Sequence, residues 1–225
     1  MKSVTGTARG MAVAALVFTT LALMDGTATQ LLHSWADASI SDPLSDEMVK
    51  LLDAGLWEVC ATDRLMDIGE IPTRCYAVNG TDLVYVKGAS LGSLLLGLLA
   101  WIAIIGAFTS TASQLLAATF SFLQCAAMLG ATGRFTNLVS THDGLSFLPN
   151  LKGTPILLID DFGPTVSYGY AFYFAWSSAG LALISTLFMA FAACVSARAK
   201  QAPNQYQLVE VLKPNEPTPP GIDQA

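Results

Sequence analysis

Gly55-Leu56-Trp57-Glu58-Val59-Cys60, preceded by Trp35 and followed by Cys75, lies in a polar, acidic segment between two apolar ones. A lone tryptophan, a Gly-Leu-Trp triplet and two cysteines in that setting suggest a small disulfide-locked domain. It would be held against the outer face of a membrane, with the rest of the chain as its anchor.

The flanks support an anchor. The chain has 225 residues, of which 53% are hydrophobic and only 12% charged; soluble domains carry about twice that charged share. Mean hydropathy is +0.52. No Asp, Glu, Lys or Arg occurs between Lys87 and Arg134, or between Asp161 and Arg198. A membrane span needs roughly 20 mainly apolar residues. The first gap therefore holds two spans and a tight turn at Thr109-Ser110-Thr111, and the second gap holds one. Small residues at Gly92, Gly97, Ala100, Ala103 and Gly106, and again at Ala175, Ala179, Ala182 and Thr186, let helices approach closely. Cys125 reads as a small packing residue.

Met11 to Met24 is an apolar run after the basic residues Lys2 and Arg9. It reads either as a cleaved signal peptide or as a first span continuing past Asp25 to Leu32. Asp25 would then be a neutralised carboxylate near the interface or an intramembrane polar contact. Basic residues before the first span and after the last, at Arg198 and Lys200, place both termini in the cytosol by the positive-inside rule. The expected layout is a cytosolic 1–10, spans at 11–33, 89–108, 113–133 and 168–197, and a cytosolic turn at 109–112. Extracellular loops fall at 34–88 and 134–167, and 198–225 is a cytosolic, disordered tail.

Within the first loop, Asp42-Pro43 looks like a helix start. Leu44, Met48, Leu51 and Leu52 share a helical face up to Gly55, so Asp42–Asp53 is expected to be helical. Leu56–Ala61, Arg74–Val78 and Leu83–Val86 read as short strands. Asn79-Gly80-Thr81 is both a hairpin turn between the last two and a glycosylation sequon at Asn79 if the loop is exported. In the second loop, Pro155–Ile159 reads as an edge strand added to the first loop's sheet or as a partner surface. Tyr168, Tyr170, Phe172, Tyr173, Phe174 and Trp176 open the last span as an interfacial aromatic belt.

Three stretches resemble the claudin superfamily of four-span proteins, which includes claudins, peripheral myelin protein and the calcium-channel gamma subunits. They are the Trp35, Gly55-Leu56-Trp57, Cys60, Cys75 series, the Asp25-Gly26 pair ten residues before Trp35, and Ser167–Trp176. The resemblance implies a membrane all-α four-helix bundle with a small extracellular β-sheet domain. It also supports a retained first span and a Cys60–Cys75 disulfide with Trp57 packed near it. Such a bridge closes a loop of about sixteen residues, worth roughly 3 kcal/mol, in a domain too small to bury much core. Four features depart from the pattern: the long cysteine separation, the helical reading of Asp42–Asp53, the turn after the second span without basic residues, and the C-terminus Ile222-Asp223-Gln224-Ala225. That ending lacks a large hydrophobic last residue, so a PDZ scaffold is not expected as a partner.

Neither His33 nor His142 stands at a spacing that completes a zinc site, so no metal and no cofactor is expected. No catalytic motif is visible, and an enzyme is not expected. The acidic first loop, with ten acids against Lys50, Arg64, Arg74 and Lys87, argues against nucleic acid. The expected partners are the lipid bilayer and other membrane proteins, either further copies of the chain or a channel or receptor. The expected role is cell–cell contact or a paracellular barrier at the plasma membrane; the alternative is an auxiliary channel subunit or a myelin-type membrane organiser. Asp63, Asp67 and Glu70, between the cysteines, are candidates for charge selectivity. Cys194, beside Arg198 and Lys200, is a candidate for palmitoylation.

Overall fold

The computed structural model describes residues 2–41, 48–61, 74–77, 83–141 and 165–212. Four helices dominate: α1 (Lys2–Leu31), α2 (Val84–Ala107), α3 (Thr111–Thr141) and α4 (Tyr170–Leu212). Each holds a segment long and apolar enough to cross a membrane, at Gly6–Leu31, Val84–Ala107, Thr111–Ser140 and Tyr170–Ala199. The chain is a multi-pass membrane protein. Outward faces are apolar, with Val13, Leu95, Ile102, Leu116 and Phe191 exposed. Such a surface is tolerable where lipid rather than water is the solvent.

The helix interfaces are made of small side chains. Ala12, Ala15, Ile104, Ala107, Ala117 and Met189 form one buried cluster towards the end where α1 starts and α4 leaves the bundle. Ala175, Ala179 and Ala182 of α4 are buried in the second, larger cluster at the opposite end, together with Cys125. Small residues bring backbones close enough for hydroxyls to bond across helices. Thr19 and Ser185 lie 2.7 Å apart, and Ser178 donates to the Ala22 carbonyl at 2.8 Å. The α2–α3 turn is capped by Ser110, whose hydroxyl accepts from the Ala112 N–H.

The larger cluster merges into a sheet made of β1 (Ala36–Ser41), β2 (Met48–Ala54), β3 (Glu58–Ala61), β4 (Arg74–Ala77) and β5 (Thr165–Tyr168). Its order is β4-β3-β2-β1-β5, with every pairing antiparallel. The first four strands come from the segment between α1 and α2. The fifth comes from the segment between α3 and α4, so both connections close one sheet.

Several expectations are corrected. Met48–Ala54, expected as the second half of a helix, is a strand paired with β1 on one side and β3 on the other. β1 pairs it on one side and β3 pairs Leu52–Ala54 on the other, and that context overrides a helical spacing of four leucines and methionines. Leu83–Val86 is not a strand: α2 begins at Val84, with Leu83 and Val86 buried in the core. Asn79-Gly80, where a hairpin was expected, lies outside the described residues. Tyr168 ends β5 instead of opening the last span, and Gly169 separates strand from helix. The last helix continues to Leu212, so 201–212 is helical rather than disordered. The second connection does add an edge strand to the sheet, at Thr165–Tyr168. Pro155–Ile159, where that strand was expected, lies outside the described residues, as do Asp42–Glu47 and 213–225.

Candidate functional site

The residues singled out by the sequence converge on the junction between sheet and bundle. Trp35 sits at its centre, wholly buried. Its indole N–H donates to the Thr29 carbonyl at the end of α1, at 3.0 Å. Its ring stands edge-on to Phe135 of α3, with centroids 4.9 Å apart, and to Phe172 of α4, at 6.2 Å. Its backbone N–H donates to the Ala54 carbonyl and its own carbonyl accepts from the Gly169 N–H. One residue thus ties three helices and two strands together. An indole suits this place because it offers a large apolar body and a single donor.

The two glycines at the junction are required by close approach. A Cβ on Gly55 would lie 3.0 Å from both the Glu58 carbonyl oxygen and the His33 Cα. A Cβ on Gly169 would lie 2.4 Å from the Ser34 carbonyl oxygen, which is backbone and cannot yield cheaply. Gly169 was missed in the sequence; its place between β5 and α4 depends on a strand that no local pattern announced.

Leu56 is buried beneath the sheet, whereas its neighbour Trp57 is 41% exposed. Its indole N–H reaches the Gln30 side-chain oxygen at 3.3 Å, and the Lys87 ammonium lies 5.0 Å from its ring centroid. The large buried aromatic of the junction is Trp35. Cys60 and Cys75 face each other across β3 and β4 and are joined by a disulfide.

His33, far from Cys60 in the sequence, is brought beside it. Its Nδ1 lies 3.4 Å from the Glu58 carboxylate, and donor atoms of His33, Glu58 and Cys60 fall within 4.8 Å of one another. The Cys60 sulfur is already bonded to Cys75, which leaves an imidazole and a carboxylate as the ordinary ligands. A zinc site calls for three or four.

In α1, the Asp25 carboxylate accepts a hydrogen bond from the Ser177 hydroxyl of α4 at 2.5 Å, so the acid is held by an interhelical polar contact. Gly26 beside it meets Leu94 and Ser178, at 2.9 and 3.3 Å from an added Cβ. Gln124, buried in α3, lies against Gly97, whose added Cβ would stand 2.8 Å from the Gln124 amide nitrogen. Cys194 is exposed on α4, one turn before Arg198. Asn79, Asp63, Asp67 and Glu70 lie outside the described residues.

The arrangement is a clamp. It fixes a sheet, assembled from two separate connections, to one end of a helix bundle. No family model and no curated protein sequence matches the chain.

Proposed function

We propose that this protein works at cell–cell contacts, as an adhesion or barrier component of the plasma membrane. In this reading the sheet lies outside the cell and both termini lie in the cytosol. The observation that carries it is the construction of the sheet: both connections feed one rigid surface, bridged by Cys60–Cys75 and pinned by Trp35 to three helices. A surface held that firmly can meet a neighbour without a large ordering cost. The orientation rests on Lys2 and Arg9 at the start of α1 and Arg198 near the same end of the bundle, with cytosolic basic residues as the physical rule. The resemblance of Trp35, Gly55-Leu56-Trp57, Cys60 and Cys75 to the claudin signature supports the same role.

If the contact lines a passage, Asp63, Asp67 and Glu70 make it favour cations, because fixed carboxylates concentrate cations and repel anions. The test is expression in an epithelial layer. A continuous line at cell borders and a dilution potential shifted towards sodium are expected, and replacing the three acids with Asn or Gln removes the shift. Diffuse surface staining with no change in conductance would overturn the reading.

The auxiliary-subunit alternative has one observation in its favour. Tyr170, Tyr173, Phe174 and Trp176 form an exposed aromatic face at the sheet end of α4, suited to a partner's helix as well as to the membrane interface. Co-purification of a channel, lost on replacing Tyr173 and Trp176 with Leu, would select it.

A further inference from the structure

The four helices are not packed evenly. α1 lies mainly on α4 and α2 mainly on α3, and α1 and α2 touch each other least of the adjacent pairs. Their looser seam leaves a groove of about 600 Å³, within the range of ligand sites. One wall is a stripe of α1 that includes Thr20, Leu23, Thr27 and Leu31; Leu98 and Trp101 of α2 form the other. We propose that this groove is a lipid site that takes one acyl chain of a phospholipid from the leaflet on the sheet's side.

Length argues for a chain. Thr20 to Leu31 spans eleven helical steps, about 16.5 Å, close to one leaflet's half of a hydrocarbon core about 30 Å thick.

The lining chemistry agrees. Thr27 donates its hydroxyl to the Leu23 carbonyl at 2.8 Å. Thr20 donates to the Leu16 carbonyl and accepts from the Trp101 indole N–H at 3.2 Å. With both hydroxyls engaged, the walls suit hydrocarbon. The seam's outer end is different. Gln30 bridges Ser90 of α2 and Trp57 of the sheet, and Lys87 stands over the Trp57 ring. An indole and an ammonium at that level complement a phosphodiester headgroup. This inference needs only the membrane location and is independent of the role at cell contacts.

The full-length protein in phosphatidylcholine nanodiscs, with a trace of phosphatidylcholine carrying a photoreactive diazirine on its acyl chain, tests it. Peptides covering Leu23–Leu31 and Leu98–Trp101 should be labelled about fivefold above the exposed faces around Phe122 of α3 and Phe191 of α4. Ala28→Trp, filling the groove from α1, and Leu98→Trp, filling it from α2, should each remove the excess and leave the α3 and α4 labelling unchanged. An intact Cys60–Cys75 bridge by non-reducing mapping certifies the fold of both variants. Labelling equal on all outward faces, or an excess that survives both variants, would each overturn the proposal.

Discussion

Trp35 and Trp57 lie twenty-two positions apart on the same sheet, yet they occupy opposite physical situations. Trp35 is sealed under the sheet, with its N–H spent on a helix-terminal carbonyl and its ring between two phenylalanines. Trp57 sits at the mouth of the α1–α2 seam, half in contact with Gln30 and Lys87 and half outside. The difference teaches where this fold is rigid. The sheet-to-bundle junction is closed by aromatic packing and backbone hydrogen bonds. The α1–α2 seam is hydrogen-bonded towards its two ends, by Gln30 with Ser90 and by Thr20 with Trp101, with Leu94 against Gly26 and Leu23 against Gly97 between them.

Breaking the junction should therefore cost far more than opening the seam's mouth. Trp35→Ala removes a fully buried indole and is expected to lose about 3–5 kcal/mol. Most of that protein should fail to reach the cell surface, and its thermal midpoint in a fixed detergent should fall below that of every other variant. Replacing Cys60 and Cys75 together with Ser comes next, at about 3 kcal/mol. The loss should be confined to the sheet: proteolysis opens the segment between α1 and α2 while the four helices stay inserted.

A smaller effect sharpens the same contrast. Gly169→Ala pushes a methyl into the Ser34 backbone, and about 1–3 kcal/mol is expected. Gly92→Ala, where nothing lies within 4 Å of the added Cβ, should be neutral or stabilising by up to about 1 kcal/mol. The smallest loss is that of Trp57→Ala, expected under about 1 kcal/mol because the ring is partly exposed. Thermal midpoints of the purified variants give this order directly. If Trp57→Ala proved as damaging as Trp35→Ala, the distinction between a closed junction and an open seam would fail.

The parts of the molecule that could be read early share a physical origin. Two long gaps without charge can only be buried or sit in lipid, so α2, α3 and α4 were legible from composition. Cys60 and Cys75 stood out because they are the two cysteines in polar sequence, and they pair across neighbouring strands. The misread parts lie where local and long-range demands disagree. Met48, Leu51 and Leu52 keep a helical spacing, but they lie in a strand that β1 pairs on one side and that β3 pairs, from Leu52 on, on the other. Val84, Tyr85 and Val86 have strand-forming side chains, but they begin an apolar segment whose backbone must bond internally once in lipid.

The sequence by itself determined that the chain is a multi-pass membrane protein with an acidic insert, holding two cysteines, after its first apolar segment. Those properties follow from the burial cost of charges and the length of apolar runs, which are local. Only the tertiary structure decided that Thr165–Tyr168 completes the sheet, that Trp35 rather than Trp57 is the keystone, and that His33 meets Glu58 beside the disulfide. Each of these joins residues far apart in the chain, and the packing of α3 and α4 around Trp35 sets which groups meet. The open seam between α1 and α2 belongs to the same class, because a groove is a property of two helices and not of either one.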